Sequence, residues 1–251
     1  MINDFNQRLN RGERLFGTMI TVGSAAVAEI LAGVGFDWLF VDGEHAPIET
    51  AELKSILQAV QDRSAVLVRV PAIDQTPIKK ALDLGAHGII VPQVNIAEQA
   101  QQVVQYSRYQ PLGSRGVGLG RAQGYGANFE NYLENANASI CVVVQAEHIE
   151  AVENIESIVK TDGINAVLIG PYDLSASLSL MGQVDHPQVL EAIARVTKVC
   201  QDVGMPLGFF GTDAESVKHQ MDQGFGLIVA GIDSLLLSGA ASQLLMQLRE
   251  N

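Results

Sequence analysis

Cysteine, aromatic residues and basic residues are all scarce in this 251-residue sequence. Its two cysteines, Cys141 and Cys200, are too few for a disulfide framework, and both lie in apolar stretches where we expect buried free thiols. Aromatic residues make up 6% of the chain and hydrophobic residues 47%, which predicts an aliphatic core. Because buried parallel strands are rich in aliphatic residues, this composition favours an α/β architecture over an all-β sandwich.

Basic residues are outnumbered by acidic ones, 16 Lys and Arg against 28 Asp and Glu, so the formal net charge is -12. This balance argues against binding nucleic acid or an anionic membrane, since both depend on Lys and Arg. The sequence also has no uninterrupted apolar run of about 18 residues, and its polar first stretch, "MINDFNQRLNRGERLFG", does not resemble a signal peptide. We therefore expect a cytoplasmic protein whose partners are small molecules.

Short apolar runs alternate with longer amphipathic stretches along the whole chain. Eight strands are predicted, at 15–20, 38–41, 65–70, 88–92, 140–144, 166–170, 206–210 and 226–231. Helices are predicted at 48–62, 75–85, 95–106, 148–160, 187–203, 213–223 and 233–249. Eight β-then-α units, in a chain of the length that a (β/α)8 TIM barrel needs, predict one barrel domain over 1–251. A doubly wound open sheet is the alternative.

Polar residues stand where most of these apolar runs end, which is the active-site face of a parallel barrel. "DGEHAP" follows the second run and brings Asp42, Glu44 and His45 together. Arg69, Gln93, Gln145, Glu147 and Asp173 end or follow the third to sixth runs.

Glu147 and Asp173 follow adjacent predicted strands, so their carboxylates are expected to converge. Two such groups repel each other unless a cation or a proton joins them. Hard oxygen donors without a Cys or His cluster indicate a divalent ion such as Mg or Mn. The alternative is that each carboxylate caps the helix that follows it.

His45 and Arg69 each have a functional and a structural interpretation. Asp42 can orient the His45 ring so that it acts as a base, or Asp42 can instead cap the entry to the next helix. Arg69 interrupts an apolar strand and needs an anionic partner, either a substrate carboxylate or phosphate, which we favour, or a neighbouring acid. The other four histidines, at 87, 148, 186 and 219, are predicted on turns or helix surfaces and are assigned no chemistry.

The Gly-rich segment 112–126 is long for a loop, which is typical of functional or mobile segments. Its "GVGLG" lacks the strand-then-helix context and the following acid of a dinucleotide site, so we reject that interpretation. Arg115 and Arg121 in this segment can serve an anionic substrate or a neighbouring subunit, although solvated loop arginines are commoner.

Taken together, the chain resembles the HpcH/HpaI family of class II pyruvate aldolases, which includes 4-hydroxy-2-oxoheptanedioate aldolase and 2-dehydro-3-deoxyglucarate aldolase. The resemblance runs from about residue 4 to the end. It is carried by "DGEHAP", "VRVP", "LDLGAHGIIVPQV", "SRGVG", "VQAE" and "IGPYDLSASL", in the order and at the spacing of the family.

The resemblance implies a role for each candidate residue. Glu147 and Asp173 would ligate a divalent metal (Mg, Mn or Co), and Arg69 and Gln145 would contact pyruvate. His45, oriented by Asp42, would be the general acid/base. Arg121 would lie near the second substrate. It also implies a homo-hexamer built as a trimer of dimers, with helix 233–249 exchanged between subunits.

Two residues depart from the family pattern. Tyr172 replaces a small residue before Asp173, and Phe210 lies in "GFFGTD", which replaces a more aliphatic stretch. Both are expected to contact the substrate and to narrow the aldehyde pocket, so a diacid semialdehyde is not assumed.

The chemistry implied is reversible aldol cleavage of a 4-hydroxy-2-oxo acid to pyruvate or hydroxypyruvate and an aldehyde. No lysine near a predicted strand end is a persuasive Schiff-base nucleophile, since Lys79 and Lys80 lie within a predicted helix, so a metal enolate is preferred. The alternatives are a related metal-enolate lyase or decarboxylase acting on an acyl-CoA or oxo acid, and a barrel that only binds a small molecule.

Overall fold

The structure, a computed structural model, describes residues 4–250. Its strands are β1 Leu15–Ile20, β2 Trp38–Asp42, β3 Ala65–Arg69, β4 Gly88–Val91, β5 Cys141–Ala146, β6 Ala166–Ile169, β7 Leu207–Gly211 and β8 Leu227–Ile232. Each strand pairs in parallel with the next, and β8 pairs with β1 to close the barrel. The predicted (β/α)8 TIM barrel and its eight strands are therefore confirmed, and the open sheet is excluded.

The helices lie outside the barrel or at its ends. They are α1 Phe5–Asn10, α2 Ala25–Val34, α3 Thr50–Val60, α4 Gln75–Asp83, α5 Ala97–Ser107, α6 Phe129–Ser139, α7 Ile149–Glu153, α8 Ile155–Ile158, α9 Pro171–Ser177, α10 Pro187–Val203, α11 Lys218–Asp222 and α12 Asp233–Arg249. A 3-10 turn covers Gly124–Gly126. The predicted helix at 148–160 is divided at Asn154, and the one at 213–223 shortens to α11. Helices α1, α2, α6 and α9 were not singled out from the sequence.

Seven of the strands fill the barrel interior with buried inward side chains. The eighth, β7, contributes only the half-buried Phe210. Trp38, the one tryptophan of the chain, is fully buried there and stacks near Phe40 at 6.1 Å between ring centroids. Gly17 makes room for it, because a Cβ at that position would lie 2.6 Å from the indole ring. Phe5 of α1 packs 6.3 Å from the indole and closes the floor of the barrel. The open end is the opposite one, where the strands finish.

A second apolar layer lies between the strands and the surrounding helices, and Cys200 belongs to it. Cys141 lies in the barrel interior, and both cysteines are buried free thiols, as predicted. Helix α12 does not share this layer: Asp233 is its only buried residue among those described. Seven of its apolar residues are exposed, namely Leu235, Leu236, Leu237, Leu244, Leu245, Met246 and Leu248. No helix among residues 4–250 is long and apolar enough to cross a membrane.

Candidate active site

A cavity of about 260 Å³ opens at the carboxyl ends of the strands. Residues from seven strands or the turns after them, all but β4, line it: Met19, Thr21, Phe40, Asp42, His45, Arg69, Gln145, Leu168, Ile169, Gly170, Pro171, Tyr172, Asp173, Phe210 and Ile232. The structure therefore brings seven of the candidate residues together in one cavity, on the face where barrel enzymes carry their chemistry.

Asp42 and Arg69 form a buried bidentate ion pair across neighbouring strands. Arg69 donates from Nε to Oδ1 and from Nη2 to Oδ2 of Asp42, both at 2.8 Å. The pairing follows from register, because Asp42 of β2 lies directly beside Arg69 of β3. Burial by itself would raise the pKa of the Asp42 carboxyl, but the hydrogen bonds and charge of Arg69 hold it below its ordinary value. The neighbouring acid is therefore the partner that Arg69 required.

This pair corrects the role expected for Asp42, because its carboxylate orients Arg69 and not the His45 ring. Its Oδ1 also accepts the backbone N–H groups of Glu44 at 3.1 Å and of His45 at 3.3 Å, which fixes the turn after β2. The His45 side chain is 67% exposed, and its Nε2 lies 3.7 Å from Oε2 of Glu44. The imidazole thus stands at the solvent side of the cavity, beside a different carboxylate.

Glu44 is a member of the site whose partner the sequence did not reveal. Its Oε2 lies 3.3 Å from Nε of Arg69, so Arg69 lies between two acids. Partial burial raises the pKa of the Glu44 carboxyl, against the lowering effect of Arg69. The sequence places Glu44 in "DGEHAP", but only the fold of the turn after β2 brings its carboxylate to Arg69 of β3.

Glu147 is held rigidly at the end of β5. Its Oε1 accepts the backbone N–H of Gln93 at 2.8 Å, and its Oε2 accepts Nε2 of Gln145 at 2.6 Å. Gln93 adopts φ 55°, a left-handed conformation that is uncommon outside glycine and often marks functional sites. Burial raises the pKa of Glu147 to about 7, and the charges of Asp173 and Glu44 act in the same direction.

Gly170 leaves the space in which Glu147 and Gln145 lie. A Cβ on Gly170 would stand 3.0 Å from both Cβ and Oε2 of Glu147 and 3.5 Å from Nε2 of Gln145. Asp173 follows three residues later in the first turn of α9, where no side-chain cap bond forms. Glu147 does not cap the next helix either, since His148 does so. The capping alternative for the two acids is therefore not what the structure shows.

The donor set fits a hard divalent cation that keeps water or substrate among its ligands. Asp173 and Gln145 line the cavity, Glu147 lies just behind them, bonded to Gln145 and within electrostatic reach of Asp173, and Oε1 of Gln145 is buried without a hydrogen-bond partner. Within residues 4–250 no three His, Cys, Asp or Glu side chains form a metal cluster. Two carboxylates are the protein ligands typical of a Mg-type ion, which usually retains several waters. The remaining positions would be open to an oxo acid.

The far wall of the cavity is apolar and comes from strands across the barrel. Phe210 of β7, Ile232 of β8 and Met19 of β1 form it, while Tyr172 lies at the rim with 52% of its surface exposed. The two residues that depart from the family pattern thus line the cavity on the side away from Arg69.

Arg121 lies elsewhere, and its expected place near the second substrate is not found within this chain. Its guanidinium donates to the carbonyl oxygens of Leu84 at 2.8 Å and Leu57 at 3.0 Å, at the carboxyl ends of α4 and α3. In a (β/α)8 barrel these helix ends lie on the face opposite the cavity. Arg115 is also structural: it is buried, pairs with Asp83 at 2.7 Å and lies 4.5 Å over the Tyr109 ring.

Comparison with known proteins identifies the family of the chain. The family profile described as HpcH/HpaI aldolase/citrate lyase matches residues 16–240. This chain belongs to the HpcH/HpaI family. Within it, the chain is 39% identical to a hydroxypyruvate/pyruvate aldolase of Roseobacter denitrificans, covering 94% of this chain and 93% of that one. It is 40% identical to a 4-hydroxy-2-oxovalerate aldolase of Rhodococcus jostii, covering 97% and 95%.

A crystal structure of an HpcH/HpaI family protein from Burkholderia cenocepacia has the same fold. It superposes with a TM-score of 0.95 at 36% identity and covers 98% of this chain and 99% of that one. The resemblance to the HpcH/HpaI family, inferred from the sequence motifs, is thus confirmed over almost the whole of this chain.

Proposed function

We propose that this protein catalyses the reversible, divalent-metal-dependent cleavage of a 4-hydroxy-2-oxo acid to pyruvate or hydroxypyruvate and an aldehyde. The observation that carries the proposal is that Asp173, Gln145 and Arg69 line one cavity, with Glu147 bonded to Gln145 at 2.6 Å and Oε1 of Gln145 buried and unpaired. Relatives of similar length named as aldolases for pyruvate-type substrates support it. On this proposal residues 1–251 are one aldolase domain.

Glu147 and Asp173 would hold the metal (Mg, Mn or Co). When bound, the metal supplies Lewis acidity for the negative charge that develops on the oxo acid during cleavage. The residues around it prepare this site. Gln93 and Gln145 fix the Glu147 carboxylate before anything binds, so little reorganisation is needed. Since burial raises the pKa of Glu147 to about 7, a cation at this position competes with a proton for the carboxylate near neutral pH.

Arg69 would orient the carboxylate of the oxo acid. Its Nε and Nη2 are already engaged by Asp42, and within residues 4–250 its Nη1 has no hydrogen-bond partner. Asp42 fixes the plane of the guanidinium, so Nη1 is a preoriented donor at the cavity wall. The substrate contact is then one charge-assisted hydrogen bond and not the bidentate clamp expected from the sequence.

His45 would move the proton of the substrate 4-hydroxyl. It lines the cavity from the β2 turn, and its exposure lets it exchange protons with solvent. Glu44, 3.7 Å from Nε2, is the carboxylate placed to stabilise the imidazolium. The aldehyde would then leave past Phe210 and Tyr172, which we propose limit its size.

We also propose that the protein works as a homo-oligomer, a hexamer by resemblance, in which α12 packs on another copy. All seven large apolar residues of α12 are exposed, and apolar surface left open to water in this way often marks an interface between proteins. Exposed Ile30 and Val34 of α2 offer complementary apolar surface. A sedimentation mass equal to one chain at micromolar concentration would contradict this assembly.

The experiment that tests the function combines pyruvate or hydroxypyruvate with a panel of aldehydes in the presence of Mg²⁺, Mn²⁺ or Co²⁺. Aldol adducts identified by mass spectrometry, and their cleavage back to the starting compounds, are the expected result. Turnover of oxaloacetate or an acyl-CoA without any adduct would favour the alternative metal-enolate lyase or decarboxylase. Binding of pyruvate with no turnover of any substrate would indicate a binding protein.

A further inference from the structure

Asp233 is the most completely hydrogen-bonded carboxylate at the carboxyl face of the barrel outside the residues discussed above. It is the first residue of α12 and is 4% exposed. Its Oδ1 accepts the Thr21 N–H at 3.0 Å, the Thr21 hydroxyl at 2.7 Å and the Ser234 N–H at 2.8 Å. Its Oδ2 accepts the Val22 N–H at 2.9 Å. Among the described residues no Lys or Arg forms an ion pair with it, so these donors alone hold its charge.

The carboxylate replaces backbone pairing at the seam where the barrel closes. The β1–β8 register shifts between Gly17 and Met19, and Gly231 has φ 82°, so the two strand ends depart from a regular ladder. The backbone N–H groups of Thr21 and Val22, which lie just beyond β1, donate to the Asp233 side chain. The Asp233 side chain therefore joins the end of β1 to the first turn of α12.

Both residues next to this junction line the cavity. Thr21 follows β1, Ile232 ends β8, and they stand on the wall opposite Arg69 and Gln145. In a closed barrel of eight strands, β1 and β8 lie across from β4 and β5. The oxo-acid groups occupy β3 and β5, so the wall that Asp233 holds faces the other part of the substrate.

We propose that Asp233 is a positioning residue that fixes the Thr21 and Ile232 wall and thereby sets how the aldehyde is bound, without touching substrate itself. This inference rests on the proposed aldolase function for its kinetic consequence. Asp233 also joins the first turn of α12, the helix that we propose contacts another copy, to the wall of the active site. A displacement of α12 is then expected to displace the Thr21 and Ile232 wall as well.

The test compares Asp233→Asn with wild type in two reactions, using acetaldehyde or glycolaldehyde plus pyruvate for aldol addition and oxaloacetate for decarboxylation. The side-chain NH₂ group introduced by this substitution would face one of the backbone N–H donors, so one buried hydrogen bond is lost. We expect KM for the aldehyde to rise about tenfold, the factor that corresponds to roughly 1.4 kcal/mol. Oxaloacetate kcat/KM should stay within about twofold, because its groups bind on the other wall.

Asp213→Asn is the matched control, because Asp213 follows β7 and also caps a turn, accepting the Ser216 N–H at 2.8 Å, but does not line the cavity. It should leave both reactions unchanged. If Asp233→Asn does not fold, Thr21→Val removes only the hydroxyl donor while Thr21→Ser keeps it. The valine variant should then show a larger aldehyde-selective KM increase than the serine variant, and equal aldehyde KM values in the two would overturn the positioning role.

Amide hydrogen exchange of segment 18–24 separates the failure of this inference from failure of the proposed function. Faster exchange in Asp233→Asn with an unchanged aldehyde KM would overturn the positioning role, as would equal losses in both reactions. If wild type forms no aldol adduct at all, the proposed function fails. In that case unchanged exchange at Thr21 and Val22 would overturn the proposed junction as well, and faster exchange would support it.

Discussion

Asp42 and Arg69 lie side by side on β2 and β3 and share two hydrogen bonds of 2.8 Å in a buried site. The pair neutralises a guanidinium inside the barrel mouth and leaves Nη1 of Arg69 without a hydrogen-bond partner among residues 4–250. On the proposed function, stability and binding of the oxo acid would therefore depend on the same contact. This relationship leads to the first prediction.

Asp42→Asn should lower the free energy of unfolding by about 1.5–3 kcal/mol at pH 7, because the buried Arg69 loses its bidentate partner and keeps only Glu44, 3.3 Å from its Nε, as a counter-charge. The pKa of Asp42 is lowered in the folded protein, so its contribution is present above the ordinary value of 3.8 and is lost as pH falls through the folded value. The deficit of the variant should accordingly shrink in acid. Urea unfolding at pH 7 and in acid measures it.

Asp202→Asn is the control, because Asp202 forms an exposed i,i+4 pair with Lys198. It should change stability by less than about 0.5 kcal/mol at either pH. Equal stability changes in the two variants at pH 7 would show that the Asp42–Arg69 pair has no special weight.

Gly170→Ala should impair metal binding and turnover while the protein stays folded. The new Cβ would lie 3.0 Å from Oε2 of Glu147, so the carboxylate has to move from the position that Gln93 and Gln145 fix. We expect an increase of about tenfold or more in the Mn²⁺ concentration that gives half-maximal activity. Gly33→Ala, in a helix with open space around it, is the control and should have no such effect. Wild-type metal dependence in Gly170→Ala would contradict the arrangement of Glu147.

His45→Ala should separate two reactions of the same site. Aldol cleavage should fall by about 10²–10⁴, the usual contribution of a general base, whereas oxaloacetate decarboxylation should be largely kept because it removes no hydroxyl proton. His219→Ala, on the exposed surface of α11, should change neither rate. Parallel losses in both reactions at unchanged metal content would make His45 a structural residue.

His87 should make the protein sensitive to mild acid. Burial lowers the pKa of this imidazole to about 4, and its Nδ1 accepts the Val66 N–H at 3.0 Å, which protonation would prevent. The neutral His87 ring therefore contributes its full stability above pH 6.5, the ordinary pKa of histidine, and this contribution is lost as the pH falls from there toward 4. The loss should reach up to about 3 kcal/mol.

Urea unfolding of His87→Asn between pH 7.5 and 4.5 measures this effect, since Asn Oδ1 can take the place of Nδ1 without titrating. The variant should lose most of the acid slope, and His219→Asn should retain it. An unchanged slope in His87→Asn would assign the acid sensitivity to other groups.

The strands and most site residues were predictable because barrel strands are short aliphatic runs that end at polar residues. The partners of those residues were not. Asp42 lies three residues before His45 in the sequence, but the parallel register of β2 and β3 places its carboxylate beside Arg69. Arg121 was placed by resemblance, whereas the carbonyl groups at two helix ends bind it here.

Other features carry little sequence signal. Helix α6 is the exception, because Phe129, Tyr132, Leu133 and Ala136 stand at i, i+3, i+4 and i+7, an apolar periodicity that was present and was missed. The left-handed Gln93 is not a glycine, so its conformation leaves no trace in the residue type. Three of the four hydrogen bonds of Asp233 join it to Thr21 and Val22, more than 200 positions away, and only closure of the barrel forms them. The fourth is local and comes from the Ser234 N–H.

The most direct test of the central claim is pyruvate release from a 4-hydroxy-2-oxo acid by wild type, Glu147→Gln and Asp173→Asn as Mg²⁺ or Mn²⁺ is added back after chelation. Glu150→Gln, on the exposed side of α7, is the matched control. Wild type and control should regain full activity with metal, and the two site variants should stay inactive or need far more metal. Full pyruvate release by wild type in excess chelator, or by Glu147→Gln at the wild-type metal concentration, would contradict the account.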